Sequence, residues 1–193
     1  MQKKKQIAGI DYWPDNTEFV DQYEAKPSLL RQTILFFFVF ALFQVGWLLL
    51  RDNAFGHFVR GEITVKPAVT LINLLSPSIH AQALGNQIIA PGGGLVIKLG
   101  CEGLEAMFIL IAAIIASSVK FKNMISGLLM GTLLVYVLNQ ARILILFYTN
   151  RADKALFHLL HATIAPIVLI AIVGIFYYWW LNKNQITINL LTT

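Results

Sequence analysis

The chain has 193 residues, 57% of them hydrophobic and only 13% charged, with a mean hydropathy of +0.67 and a formal net charge of +5. A water-soluble domain carries about a quarter charged residues, so the composition excludes one and points to an integral membrane protein. The basic residues are scattered between apolar runs, which suits membrane flanks and argues against a nucleic-acid surface.

Residues 1–30 are polar and mixed in charge, from Lys3, Lys4 and Lys5 through Asp11, Asp15, Glu18, Asp21 and Glu24. They read as a cytoplasmic tail whose aromatics (Tyr12, Trp13, Phe19, Tyr23) touch the membrane surface. Thr33–Leu50 is the first run long enough to span, and without a small-residue cleavage site it reads as an uncleaved anchor. Within residues 51–100, Pro67–Leu75 is helical in pattern but too short to cross, and Ser76-Pro77 stops it. An amphipathic helix lying on the membrane is expected there. Asn86–Ala90 and Leu95–Leu99 are β-prone runs separated by Pro91-Gly92-Gly93-Gly94, a hairpin signal. No Gly-Lys-Ser/Thr follows the glycines, so they are not a phosphate loop.

The second strand leads directly into Cys101, the single cysteine of the chain. Leu104–Val119 is the second expected span. Met124–Tyr148 is the third, with Asn139, Gln140 and Arg142 near its end. Leu156–Leu181 is the fourth, closing on the aromatic belt Phe176–Trp180 and Lys183, with residues 184–193 as a C-terminal tail. The expected architecture is an all-α polytopic membrane protein. It has about four transmembrane helices, an extracytoplasmic amphipathic helix and a short β-hairpin, with residues 31–183 as one transmembrane domain. Placing the tail inside puts eight Lys and Arg inside and six outside, the sign that the positive-inside rule requires.

Three polar residues then fall at one membrane face. Cys101 precedes a helix that enters from the outer side, where unsatisfied N–H groups favour a thiolate. Arg142 lies about two turns below the outer end of the third span, and His158 about one turn into the fourth. Asn139, three residues before Arg142 on the same helix, can bond the guanidinium or a substrate carbonyl. Singly, each has a plain structural role: a packed thiol, a snorkelling arginine, an interfacial histidine. Glu102 and Glu105 are first-turn carboxylates that oppose a thiolate unless Arg142 or Lys98 pairs with them. Jointly, thiol, imidazole and guanidinium suffice for acyl transfer, with Cys101 attacking a carbonyl, histidine moving the proton and arginine bonding the oxyanion.

The strings Pro67-Ala-Val-Thr-Leu, Gly85-Asn86 through Pro91, Cys101-Glu-Gly-Leu104, Asn139-Gln-Ala-Arg142 and His158-Leu-Leu together resemble the exosortase/archaeosortase family over roughly residues 65–165. That resemblance implies a membrane-embedded cysteine transpeptidase of the bacterial inner membrane, active on the extracytoplasmic face. It would cleave C-terminal sorting signals built of a short motif, a transmembrane helix and a basic tail. Cys101 would be the nucleophile, Arg142 the oxyanion donor and His158 the acid/base, with Asn139 and His161 positioning substrate and no cofactor or metal involved. Two departures stand out: Glu102 occupies a position where many members carry serine, and His161 competes with His158. Expected partners are the sorting-signal proteins and the lipid bilayer, not nucleic acid. The alternatives are a non-catalytic assembly or export factor, and a haem- or metal-binding protein using His158 and His161.

Overall fold

The computed structural model describes residues 29–191, with side chains through residue 184; the expected tail lies almost wholly outside them. Helix α1 (Leu29–Leu50) is apolar on every face and buries only Val39. Its neighbour in the bundle is α4 (Leu104–Ala116), against which Phe43 stacks on Phe108 at 5.3 Å between centroids. At the far end Gln32 Nε2 donates to Ser118 Oγ at 2.8 Å.

After a turn at Arg51–Asn53 the chain forms one unbroken helix over residues 54–75. It comprises α2 (Ala54–Phe58), a π segment (Val59–Val65) and α3 (Lys66–Leu75). Pro67 therefore sits inside a helix instead of opening one. The cause of the π segment is local: Pro67 has no N–H for the carbonyl of Ile63 four residues back, and its ring crowds that carbonyl. The orphaned Ile63 oxygen is taken up by the long helix α5 (Phe121–Ala152), from Tyr136 Oη at 3.2 Å and Gln140 Nε2 at 3.4 Å. Helix α3 is not the lone surface helix its composition suggested, because its Ala68 and Ile72 are fully buried.

The hairpin forms as expected, with one more strand. β1 (Gln82–Leu84), β2 (Gln87–Ile89) and β3 (Leu95–Val96) make an antiparallel meander in that order. Gly85 and Asn86 link β1 to β2 as a two-residue turn, and Gly85 takes the positive φ (56°) such turns need. Asn86 pairs with Ile97 in both directions, through backbone N to O at 2.9 Å and side-chain Nδ2 to O at 3.2 Å. At the other end, Asn150 and Arg151 of α5 donate to Gly94 O and Gly93 O at 2.8 and 2.7 Å.

Only Asp153 separates α5 from the last rod, and its side chain caps the next helix by accepting from Ala155 N at 2.7 Å. That rod comprises α6 (Lys154–Leu159), a second π segment (Leu160–Ile164) and α7 (Ala165–Leu191). This π segment too precedes a proline, Pro166, and α7 runs past the expected end of the span at Leu181. Three helices are long and apolar enough to cross a membrane: α1, α5 and the rod from Lys154. The second of the four expected spans, α4, has 13 residues, about 20 Å, against a hydrocarbon core of about 30 Å.

Two apolar clusters hold the described residues. One joins the first π segment, α3, the sheet and the C-terminal part of α5: Val65, Ala68, Ile72, Ile88, Leu95, Ile97, Ile143, Leu146 and Phe147, together with Cys101. The other lies between α4, α5 and α7, among Ala106, Leu110, Ile114, Val135, Leu169, Val173 and Trp180. There Gly127 and Gly131 form notches on α5. A Cβ at Gly127 would lie 2.4 Å from Trp180, and one at Gly131 would lie 2.6 Å from Leu110. This Gly-x-x-x-Gly spacing lets side chains of neighbouring helices seat against the α5 backbone.

Candidate active site

Cys101 belongs to the first cluster and sits in a turn shaped by glycine on either side. Gly100 and Gly103 have φ of 87° and 78°, a region that penalises any Cβ. The Cys101 N–H donates to Lys98 O at 3.0 Å, and the Gly100 N–H donates to Glu102 Oε2 at 2.7 Å. Gly103 is constrained twice, since a Cβ there would fall 2.8–3.0 Å from the side chain of Asn139. The Cys-Glu-Gly string thus seats the start of α4 directly on α5.

The imidazole that reaches the thiol is that of His161. Cys101 Sγ lies 3.9 Å from Nδ1 and 4.0 Å from Nε2 of His161, so either nitrogen can take the proton, depending on tautomer. The His161 ring lies parallel to Phe157, 8° between planes and 5.4 Å between centroids, which fixes its orientation. His158 is exposed, and its ring packs edge-on against Phe157 at 5.5 Å. Of the two candidate histidines, the structure thus brings His161 and not His158 to the sulfur. The reason is rotational: residues three apart on a helix differ by about 60° about its axis, and the π segment turns His161 to the inside.

Arg142 is buried on α5, and its Nε has no hydrogen-bond partner. Its charge acts on both Cys101 and His161. Asn139, one turn earlier, is almost fully buried with its Oδ1 unpartnered. Cys101, Arg142, Asn139 and His161 are thus brought together, from the α4 leader, α5 and the second π segment.

Burial raises the Cys101 thiol above its ordinary 9.0; Arg142 pulls it back and Glu102 pushes it further up. At neutral pH the group is a thiol, so its nucleophilicity depends on proton transfer to a base.

Sequence reasoning missed one member of this neighbourhood. Arg60, on the first π segment, points a buried guanidinium at Glu102, with Nη1 3.9 Å from Oε1. Neither Arg142 nor Lys98, the two partners expected for Glu102, forms that pair. No single-residue signal marks Arg60, which lies in a loop by hydropathy and reaches the site only because residues 54–75 are one helix. Among the described residues, no three His, Cys, Asp or Glu side chains gather so as to hold a metal ion. No protein-family model, curated protein or solved structure matches the chain.

Proposed function

We propose that this protein is a membrane-embedded cysteine peptidase or transpeptidase of the exosortase kind, acting on proteins whose C-terminus carries a membrane helix. The observation that supports this best is Cys101 Sγ within 4.0 Å of an imidazole, with a buried arginine charge acting on both.

In the first half-reaction His161 accepts the Cys101 proton as sulfur bonds to the carbonyl carbon of the scissile peptide. The negative charge that develops on the carbonyl oxygen is met by the Arg142 guanidinium. Collapse breaks the C–N bond, and the imidazolium returns its proton to the leaving amine. The acyl-thioester on Cys101 then passes to water or an amine, whose proton returns through His161 to the departing sulfur. A sulfur–nitrogen separation near 4 Å is looser than a tight hydrogen bond, as is usual before substrate draws catalytic groups together. In this reading the site opens on the extracytoplasmic face of the bacterial inner membrane, and α4 completes the bundle as its short fourth membrane helix.

The test is co-expression with exported proteins that end in an apolar helix and a basic tail. Removal of the tail should require Cys101, and Cys101→Ala should abolish it while the protein stays in the membrane. Peptide mass spectrometry of the active protein should find a hydroxylamine-labile adduct on Cys101. Tail removal by the Cys101→Ala variant would refute the proposal.

A further inference from the structure

The carboxylate beside the nucleophile demands an explanation. Glu102 is adjacent to Cys101, is buried, and raises the barrier to a thiolate. Its Oε2 accepts the Gly100 N–H at 2.7 Å, bridging the turn across Cys101. Its Oε1 has no hydrogen bond and lies 3.9 Å from Arg60 Nη1, within strong Coulombic reach but beyond hydrogen-bond length. Arg60 is anchored from behind, its Nη2 donating to Arg51 O at 2.7 Å. The anchor reaches to the end of α1, and Gly56 allows it, since a Cβ there would collide with the Arg51 backbone.

We propose that Arg60 is a positioning residue for Cys101, acting through Glu102. The carboxylate locks the turn that presents the sulfur, and the guanidinium cancels the charge which that lock would otherwise impose on it. This rests on the reading of Cys101 as nucleophile. The charged and titratable groups that bear on Cys101 are Arg142 from α5, Glu102 and Lys98 from its own turn, and His161 from the second π segment. Arg60 bears on it only by way of Glu102. A carboxylate left alone beside a thiol disfavours the thiolate, and removing it while the arginine stays favours the thiolate.

The sole cysteine of the chain makes the test direct, because alkylation reports one site. The full-length protein in detergent is titrated with iodoacetamide across pH 7–10 as wild type, E102Q, R60Q, R60K and the double variant R60Q/E102Q. The side-chain amide introduced by E102Q keeps an oxygen for the Gly100 N–H, so this variant removes the charge and spares the turn. At pH 8, E102Q should react about 3- to 10-fold faster than wild type and R60Q about 3- to 10-fold slower. The double variant and R60K should stay within about twofold of wild type.

A purely structural role would loosen the turn and accelerate both single variants, and that result overturns the proposal. If R60Q does not reach the membrane, E102Q decides alone: an unchanged or slower rate overturns it. The two readings fail separately. Tail removal that survives Cys101→Ala ends the peptidase reading without altering the alkylation pattern, whereas same-direction shifts end the positioning role of Arg60 and leave the peptidase reading intact.

Discussion

The sheet-bearing cap and the helix bundle are both apolar inside, yet they are held together by different physics. The cap buries Val65, Ile72, Ile88, Ile143 and Phe147 to within a few per cent of complete exclusion and fastens its edges with side-chain bonds such as Asn73 to Ala81, 2.8 and 2.9 Å. That is how a small water-facing fold earns its stability. The bundle leaves much of its apolar surface outward, with Phe37 and Leu42 of α1 more than half exposed. Lipid gives such surface no reason to hide, so its helices associate through fit: Trp180 on Gly127, and Leu110 and Phe176 on Gly131. The candidate site lies on the seam, taking its nucleophile from the end of the cap and its arginine and imidazole from bundle helices.

Breaking the seam should have the largest effect. His161→Gln is expected to lower tail removal 10²- to 10⁴-fold, while His158→Gln should leave it within about twofold. Because the thiol sits above its ordinary 9.0, its ionised fraction grows as pH rises and is still growing beyond pH 9. The deficit of His161→Gln should therefore shrink toward pH 10, where thiolate forms without the imidazole; a pH-independent deficit would contradict the assignment. Next comes the cap, where Phe147→Ala should cost about 3–5 kcal/mol in denaturant titration of the micellar protein. In the bundle, Gly131→Val should cost about 1–3 kcal/mol by the same titration, through overpacking against Leu110 and Phe176. Phe37→Ala on the outward face of α1 should stay within about 0.5 kcal/mol. Equal costs for Phe147→Ala and Phe37→Ala would erase the distinction between cap and bundle.

Much of this arrangement was readable in the chain. The run Thr33–Leu50, which falls within α1, and the hairpin around Pro91–Gly94 follow from hydropathy and turn chemistry, which are local. Three things were not. Leu104–Val119 looks like a span by composition, but Ser117-Ser118 ends the helix early: α4 stops at Ala116 and the Ser117 hydroxyl bonds back to Ile114 O at 2.6 Å. The joining of Ala54–Leu75 into one helix depended on Tyr136 and Gln140 reaching Ile63 from 73 and 77 residues away, which no window of sequence contains. The choice between His158 and His161 turned on a rotation set by the π segment, which depth alone does not specify.

Those two wide helical segments carry a consequence for how the chain can change. Each ends shortly before a proline and carries a chemically loaded side chain, Arg60 or His161, in its first turn. A π turn closes its hydrogen bonds over one residue more than an α turn, so deleting one residue there would leave an ordinary helix of nearly the same length. The flanks on either side would keep their relative phase, because a surplus residue taken up in a wide turn is absorbed where it stands. Removing Thr163, itself no member of the site, should thus leave α6 and α7 facing as they do and re-aim only the residues of the wide turn, His161 among them. The surplus residue, not the length of the rod, is what directs the imidazole.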